Sequence, residues 1–323
     1  MSRFVILGVG AIGGTVATLL SNAGREVLGI ARGRQLEILR EGGLTLRTPM
    51  GSQHARFPVA ASPQEAGLRP DDVILLCVKT QHTEAALLQL REAGMTDQPL
   101  FCLQNGVANE RLALRYFPNV HGVTLILPAD FVSAGEVVAY GAPCTGLLDI
   151  GRFPGGTDKA DVALAEALTE AGLPSEVRGD VMASKYRKLL VNLGNIVGAA
   201  LGSDEGTEEI LAKLKAEGEA VMAAAGIAVD PADRDAKRRV GKMKISEVPG
   251  VTRVGSSTAQ SLARGAGSVE TDYLNGEIAL LGRLHGVPTP ANAWFTDLAA
   301  RLVREGAAPG AVSKADIAKA LGL

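Results

Sequence analysis

Phe4-Val-Ile-Leu7-Gly8-Val-Gly10-Ala11-Ile12-Gly13-Gly-Thr-Val16-Ala-Thr-Leu19-Leu20 decides how the rest of the chain is read. Phe4 to Leu7 is a short all-apolar run of the kind that forms a buried parallel strand. Glycines follow at the spacing G-x-G-x-x-G, and apolar residues then recur at helical intervals through Ile12, Val16, Leu19 and Leu20. The first glycine allows a tight turn, the second lets the backbone approach a pyrophosphate, and the third lets helix and strand pack closely. A helix starting there adds unpaired N–H groups and the positive end of its dipole, which together attract an anion. Glycine is abundant in this chain, so the spacing alone says little. Set between a strand and a helix, it predicts a dinucleotide site at Gly8, Gly10, Ala11, Ile12 and Gly13. Arg3 ahead of an apolar run imitates a signal peptide, but three glycines inside the run and a second strand over Glu26 to Ala31 argue against one.

That second strand ends in Ala31-Arg32-Gly-Arg34, with no carboxylate before Glu37. In this kind of fold an acidic residue there bonds the ribose 2′-hydroxyl of NAD, whereas an arginine accommodates the 2′-phosphate of NADP. Arg32 is therefore the expected 2′-phosphate ligand and NADPH the expected cofactor. Arg34 reads either as a helper or as a surface arginine opening the next helix.

A chain of 323 residues suggests two domains. A hydrophobic content of 46% supplies cores for both, and a formal net charge of −2 offers nucleic acid nothing to bind. Cys77, Cys102 and Cys144 lack any C-x-x-C spacing, and the four histidines show no H-x-x-x-H grouping, so neither a disulfide framework nor a metal site is expected. No apolar run is long enough to span a membrane, and a cytoplasmic protein is expected. The basic run Lys237-Arg-Arg-Val-Gly-Lys-Met-Lys244 reads as a solvated helix face or loop, the alternative being a basic patch near an anionic cofactor.

Further strands are predicted at Asp71 to Val78 and Leu100 to Leu103. They lead into Lys79-Thr80 and Gln104-Asn105-Gly106 at the edge where open α/β sheets bind ligands. Position alone leaves Lys79 as either a cofactor contact or a surface lysine. Asn105-Gly106 by itself reads as a turn, but Gln104 before it and the helix expected from Asn109 suggest a loop whose amide side chain points into a crevice. Val120 to Leu127, Glu136 to Tyr140 and Thr145 to Gly151 read as the last strands of the same sheet, covered by a helix over Thr157 to Ala171. After Gly179 strand signals vanish, and Pro231 to Lys244 reads as a polar helix. The division expected is 1–178 and 179–323.

Within the helical part, Val181 to Gly198 reads as one helix with Lys188, Asn192 and Asn195 at i, i+4 and i+7 on a single face. Its other sides are apolar, so the helix is expected to be buried. A buried lysine and two carboxamides are unfavourable without partners, which points to a polar cavity; the alternative is that Lys188 snorkels to solvent and the asparagines bond locally.

Together these residues resemble the ketopantoate reductase family over nearly the whole chain. The matching motifs are Gly8-x-Gly-Ala-Ile-Gly13, Val78-Lys79-Thr80, Gln104-Asn105-Gly106, Lys188-Leu-Leu-Val-Asn192, Ser256-Ser257-x-x-Gln260 and Glu270-x-Asp272-Tyr-Leu-Asn-Gly276. The resemblance implies a Rossmann-type doubly wound sheet, an all-helical second domain and an active site in the cleft between them. It also implies reduction of 2-oxopantoate to pantoate with NADPH, on the route to pantothenate and coenzyme A. Lys188 would donate the proton, and Asn105 and Lys79 would lie by the nicotinamide and substrate. Asn192, Asn195 and Ser257 would hold the substrate, and Glu270 would bond a substrate hydroxyl or the lysine.

The chain departs from the family pattern in three places. Asn195 comes one residue early, Gln260 is followed by Ser261 instead of aspartate, and Ser257 to Glu270 is slightly long through Arg264-Gly-Ala-Gly267. Another branched or hydroxylated 2-oxo acid is the alternative substrate, and a non-catalytic NADPH sensor the alternative role. Apolar C-terminal helices hint at a homodimer.

Overall fold

In the computed structural model, which describes residues 2–323, the opening motif forms β1 (Phe4–Leu7) followed by α1 (Ala11–Asn22). The chain continues through β2 (Val27–Ile30), α2 (Gly33–Gly42), β3 (Leu44–Thr48), β4 (Gly51–Ala55), β5 (Val59–Ala60) and α3 (Pro63–Ala66). Next come β6 (Val73–Leu76), α4 (Thr83–Glu92), β7 (Leu100–Cys102), α5 (Ala108–Leu114) and β8 (Val120–Ile126). β9 (Ala129–Ser133), β10 (Glu136–Ala139), β11 (Gly141–Pro143) and β12 (Leu147–Arg152) precede α6 (Lys159–Glu170) and β13 (Ser175–Val177). After them run α7 (Val181–Asn192), α8 (Asn195–Leu201), α9 (Glu208–Ala224), α10 (Arg234–Arg239) and β14 (Met243–Ile245). The last elements are α11 (Ser257–Ala263), α12 (Asn275–His285), α13 (Pro290–Arg304) and α14 (Lys314–Leu321).

The main sheet has eight strands in the order β13-β12-β8-β7-β6-β1-β2-β5. From β5 through β8 every pairing is parallel, and the strand order reverses at β1. This is the doubly wound arrangement, and such sheets bind ligands beyond the strand ends at the reversal. Alternation along β1 supplies both faces of the core. Phe4 and Ile6 pack with Val16 and Leu20, while Val5 and Leu7 pack with Leu87 and Leu90. Each such fully buried side chain contributes about 1.5–3 kcal/mol.

Glu136 to Tyr140 does not extend that sheet. β10 instead joins a second sheet, β4-β3-β10-β9, running parallel to β3. A strand pattern shows which face is apolar but not which strand it will pair with.

The chain packs into two compact units. The first holds residues up to Gln104, Asn109–Lys185 and Ala232–Thr252; the second holds Asn105–Ala108, Tyr186–Pro231 and Arg253–Leu323. Packing therefore does not follow a single cut after residue 178. The segment expected to be a polar helix over Pro231 to Lys244 is α10 plus β14, and β14 pairs antiparallel with β11 in the first unit. There Arg234 and Arg238 both donate to the buried Asp149 carboxylate, and Arg238 is 6% exposed at its side chain. The basic run is thus in part a buried anchor, because Asp149 offers a charge that solvent would otherwise have to satisfy.

In the second unit α12 packs on α9 and α13, and α11 packs on α8. Asn292, fully buried, donates to Leu214 O at 3.1 Å and to Glu217 at 2.8 Å, and accepts from Asn275 at 3.1 Å.

Candidate active site

The turn between β1 and α1 is shaped by glycines for two opposite reasons. A Cβ at Gly13 would lie 2.1 Å from Gly8 O, so only glycine permits the close approach of helix and strand. At Gly10, which caps α1, a Cβ would meet nothing within 4 Å. The space over the helix start is open, no acidic residue occupies the first turn, and the free N–H groups face it. This surface fits a pyrophosphate.

Arg32 is exposed at the N-cap of α2, and its Nη2 donates to Gln89 Oε1 at 2.5 Å. Arg34 pairs with Glu37 at 2.9 Å in solvent. Lys79, half-buried and extended in its backbone, follows β6 and precedes a 3-10 turn at Thr80–His82.

Of the two amides in this loop, Gln104 turns inward. It is buried, and its Nε2 donates to Val78 O at 2.7 Å and Thr83 Oγ1 at 2.8 Å. Thr83 Oγ1 donates on to Asn109 Oδ1 at 2.8 Å. The side chain braces the ends of β6 and β7 because inward-facing amide groups find partners there and water does not.

In the second unit, Asn192 at the end of α7 is buried and donates through Nδ2 to Asn105 Oδ1 at 3.1 Å. Lys188 stands one turn earlier on the same helix, half-buried. Gly106, at φ +78, backs onto the 3-10 turn Glu270–Tyr273, where a Cβ would come within 3.0 Å of Tyr273 O. Glu270 is buried at the head of that turn. Burial and the neighbouring Asp297 carboxylate raise the Asp272 carboxyl above its ordinary range.

The single helix expected over Val181 to Gly198 is interrupted. α7 ends at Asn192, Leu193 and Gly194 turn, and α8 begins at Asn195. Asn275 Nδ2 donates to Leu193 O at 3.2 Å and Ser256 Oγ to Asn195 O at 2.7 Å, satisfying carbonyls at the break. The i, i+7 relation of Lys188 and Asn195 therefore does not hold as helical geometry. Asn195 is instead brought beside Ser256, the N-cap of α11, with Ser257 in that helix's first turn. Val191 is 51% exposed, so the helix is not buried all round either. Ser261 is buried, and its hydroxyl donates back to Ser257 O at 2.9 Å.

One charged pair escaped the sequence reading. In the first unit Lys185 and Glu110 form an ion pair with side chains 2% and 0% exposed. Lys185 Nζ also donates to Gln104 O at 3.0 Å. Its only signal in the sequence was a second lysine three residues before Lys188.

The Cys77 and Cys102 thiols are poor nucleophiles. Burial pushes Cys77 up, and burial together with the Glu110 carboxylate pushes Cys102 up. His121, Asp158 and Asp161 come close enough to share an ion. The His121 nitrogens already face Asp161 Oδ1 at 2.7 Å and Asn119 Oδ1 at 2.9 Å, however, and both carboxylates cap α6. No helix of the described residues is long and apolar enough to cross a membrane.

Both halves of the chain match one family. The model described as ketopantoate reductase PanE/ApbA covers residues 4–155, and that described as ketopantoate reductase PanE/ApbA C terminal covers residues 180–303. The 2-dehydropantoate 2-reductase of Archaeoglobus fulgidus is 30% identical over 92% of this chain and 97% of its own length. That of Pyrococcus horikoshii is 28% identical over 90% and 94%. The crystal structure of a PanE/ApbA family ketopantoate reductase from Ralstonia eutropha JMP134 superposes with a TM-score of 0.78 at 28% identity, covering 94% and 99% of the two chains. The ternary structure of D-mandelate dehydrogenase with NADH and anilino(oxo)acetate gives 0.78 at 23% identity over 94% and 99%, a likeness of fold alone. The protein is an oxidoreductase built on a Rossmann-type sheet with a helical partner. Within that class, the chain belongs to the ketopantoate reductase family.

Proposed function

We propose that this protein reduces 2-dehydropantoate to pantoate with NADPH, with Lys188 as proton donor. The observation that carries the reading is the placement of Asn105 against Asn192, one helical turn from Lys188, in a chain whose family match covers both halves. The first unit takes the dinucleotide, its pyrophosphate on the open face of Gly10 and the N–H groups of Ala11, Ile12 and Gly13. Arg32 takes the 2′-phosphate, supported by the lack of any carboxylate at the end of β2, and Lys79 lies by the nicotinamide.

When bound, the nicotinamide supplies a hydride to C2 of the oxo acid. The Lys188 ammonium stabilises the negative charge developing on the carbonyl oxygen and transfers its proton there, then regains one from solvent. Asn192, Asn195 and Ser257 hold the substrate, and Asn105 orients the reacting face. Glu270 bonds a substrate hydroxyl or the lysine.

A different branched or hydroxylated 2-oxo acid is the second reading. It is favoured by the exposed segment Arg264–Gly267 that follows α11. The shared fold with D-mandelate dehydrogenase shows that the architecture does not itself choose the acid.

The test is NADPH and NADH oxidation by purified protein with 2-dehydropantoate and a panel of other 2-oxo acids. Turnover of 2-dehydropantoate with NADPH, lost in Lys188→Ala, supports the proposal. Turnover only of another acid selects the second reading. Dinucleotide binding with no turnover of any acid overturns both in favour of a sensor.

A further inference from the structure

We propose that Lys185 and Glu110 are positioning residues that set the Asn105 amide for reaction through the Gln104 carbonyl. The inference rests on the catalytic reading above. Its starting point is an energetic anomaly. A buried lysine–carboxylate pair loses the hydration of both ions, and apolar residues of similar size usually stabilise a core as well or better. Glu110 Oε2 and Gln104 Oε1 are buried without hydrogen bonds, so the cluster is not even fully compensated. Fold stability is a poor reason for such an arrangement.

Geometry offers a better one. Lys185 Nζ reaches Gln104 O at 3.0 Å, while the Gln104 side chain is tied to Val78 O and Thr83 Oγ1. The residue before Asn105 is therefore held at both its carbonyl and its amide. The residue after it, Gly106, backs onto Tyr273 O. Asn105 is left with little backbone freedom, and its Oδ1 accepts from Asn192 at 3.1 Å. Gly122 of β8 lies against the pair, where an added Cβ would make ordinary contact at 3.5 Å with both Glu110 Oε1 and Lys185 Cδ and be tight only against Val181 Cγ1 at 3.2 Å. Lys185 touches neither substrate nor cofactor in this account. It acts by fixing the peptide from which Asn105 projects.

Single substitutions strand a buried charge and confuse folding with function, so the informative protein is the paired variant Lys185→Met with Glu110→Leu. It removes the charge and the carbonyl anchor together while keeping the volume. The expected result is a melting temperature at or above that of the parent. kcat with 2-dehydropantoate should fall about 10–100-fold, the scale of a small misplacement of a reacting group. KM for NADPH should stay within about twofold, because uniform binding of the cofactor is untouched. Amide hydrogen exchange over residues 104–107 should rise about tenfold, reporting lost local protection. Lys185→Arg, which retains a donor toward Gln104 O, should keep more kcat than the double variant.

A double variant with parental kcat and parental exchange at 104–107 overturns the proposal. A parent that turns over no 2-oxo acid overturns the catalytic reading instead. Exchange then decides the positioning claim by itself, with faster exchange upholding it and unchanged exchange rejecting it.

Discussion

The glycine turn of the first unit and the lysine–asparagine row of the second are built by different means. At Gly8 to Gly13 the proposed working groups are backbone N–H groups, and the side chains matter by being missing. At Lys188, Asn192 and Asn105 the proposed working groups are side chains, brought together from positions 87 apart in the case of the two asparagines. A backbone site tolerates no added atom at its crowded point and is indifferent at its open one. A side-chain site depends on neighbours that hold each group in place. Gln104, Lys185 and Glu110 supply that support for Asn105, whereas Gly13 needs only Gly8 O to explain it.

Substitutions can separate the two constructions. The largest effect is expected for Lys188→Ala, which should reduce kcat by about 10²–10⁴-fold, the usual worth of a positioned proton donor, with little change in melting temperature. A kinetic assay beside a thermal melt checks both halves, and an active Lys188→Ala would remove the lysine from the mechanism. Next comes Gly13→Ala. Its Cβ would collide with a backbone oxygen at 2.1 Å, and overpacking of that kind costs about 1–3 kcal/mol. Stability and dinucleotide binding should therefore fall together, measured by urea unfolding and by NADPH titration.

Gly10→Ala sharpens the contrast. Its Cβ enters open space, so the stability change should stay below about 1 kcal/mol, the scale of an N-cap replacement. NADPH should nonetheless bind about tenfold more weakly, a loss of about 1.4 kcal/mol. Equal binding by parent and variant would show that the pyrophosphate does not approach there.

The smallest effect concerns Asp272, within the Glu270–Tyr273 turn. Its folded carboxyl is raised by burial and Asp297, so it favours the protonated form. That contribution is fully present below the unfolded carboxylate range and is lost as pH rises through the folded value. Asp272→Asn should thus stabilise the protein at neutral pH and not at about pH 3, where unfolded carboxyls are protonated too. Urea midpoints at the two pH values test the sign.

Much of the fold was legible because it rests on local periodicity. The run Phe4 to Leu7, the helix through Ile12, Val16 and Leu20, and the strand from Leu100 all formed as their sequence patterns imply. The break at Gly194 was not legible, since apolar periodicity continues across it. The break is held by Asn275 and Ser256, which are distant in the chain. Arg238 carries the same local signature as a solvated arginine, and only its distant partners Asp149, Glu176 and Leu148 O distinguish it.

The sequence by itself determined the doubly wound half, the glycine turn at its centre and the family to which the chain belongs. All of these depend on spacing within a short window, where steric and periodic rules act directly. The tertiary structure alone decided that β10 leaves the main sheet, that residues 232–252 return to the first unit, and that Lys185 is the buried lysine. Lys185 and Lys188 are three residues apart on one helix. What separates them is Glu110, 75 positions away, because the burial of a charge is set by the partner that meets it in space.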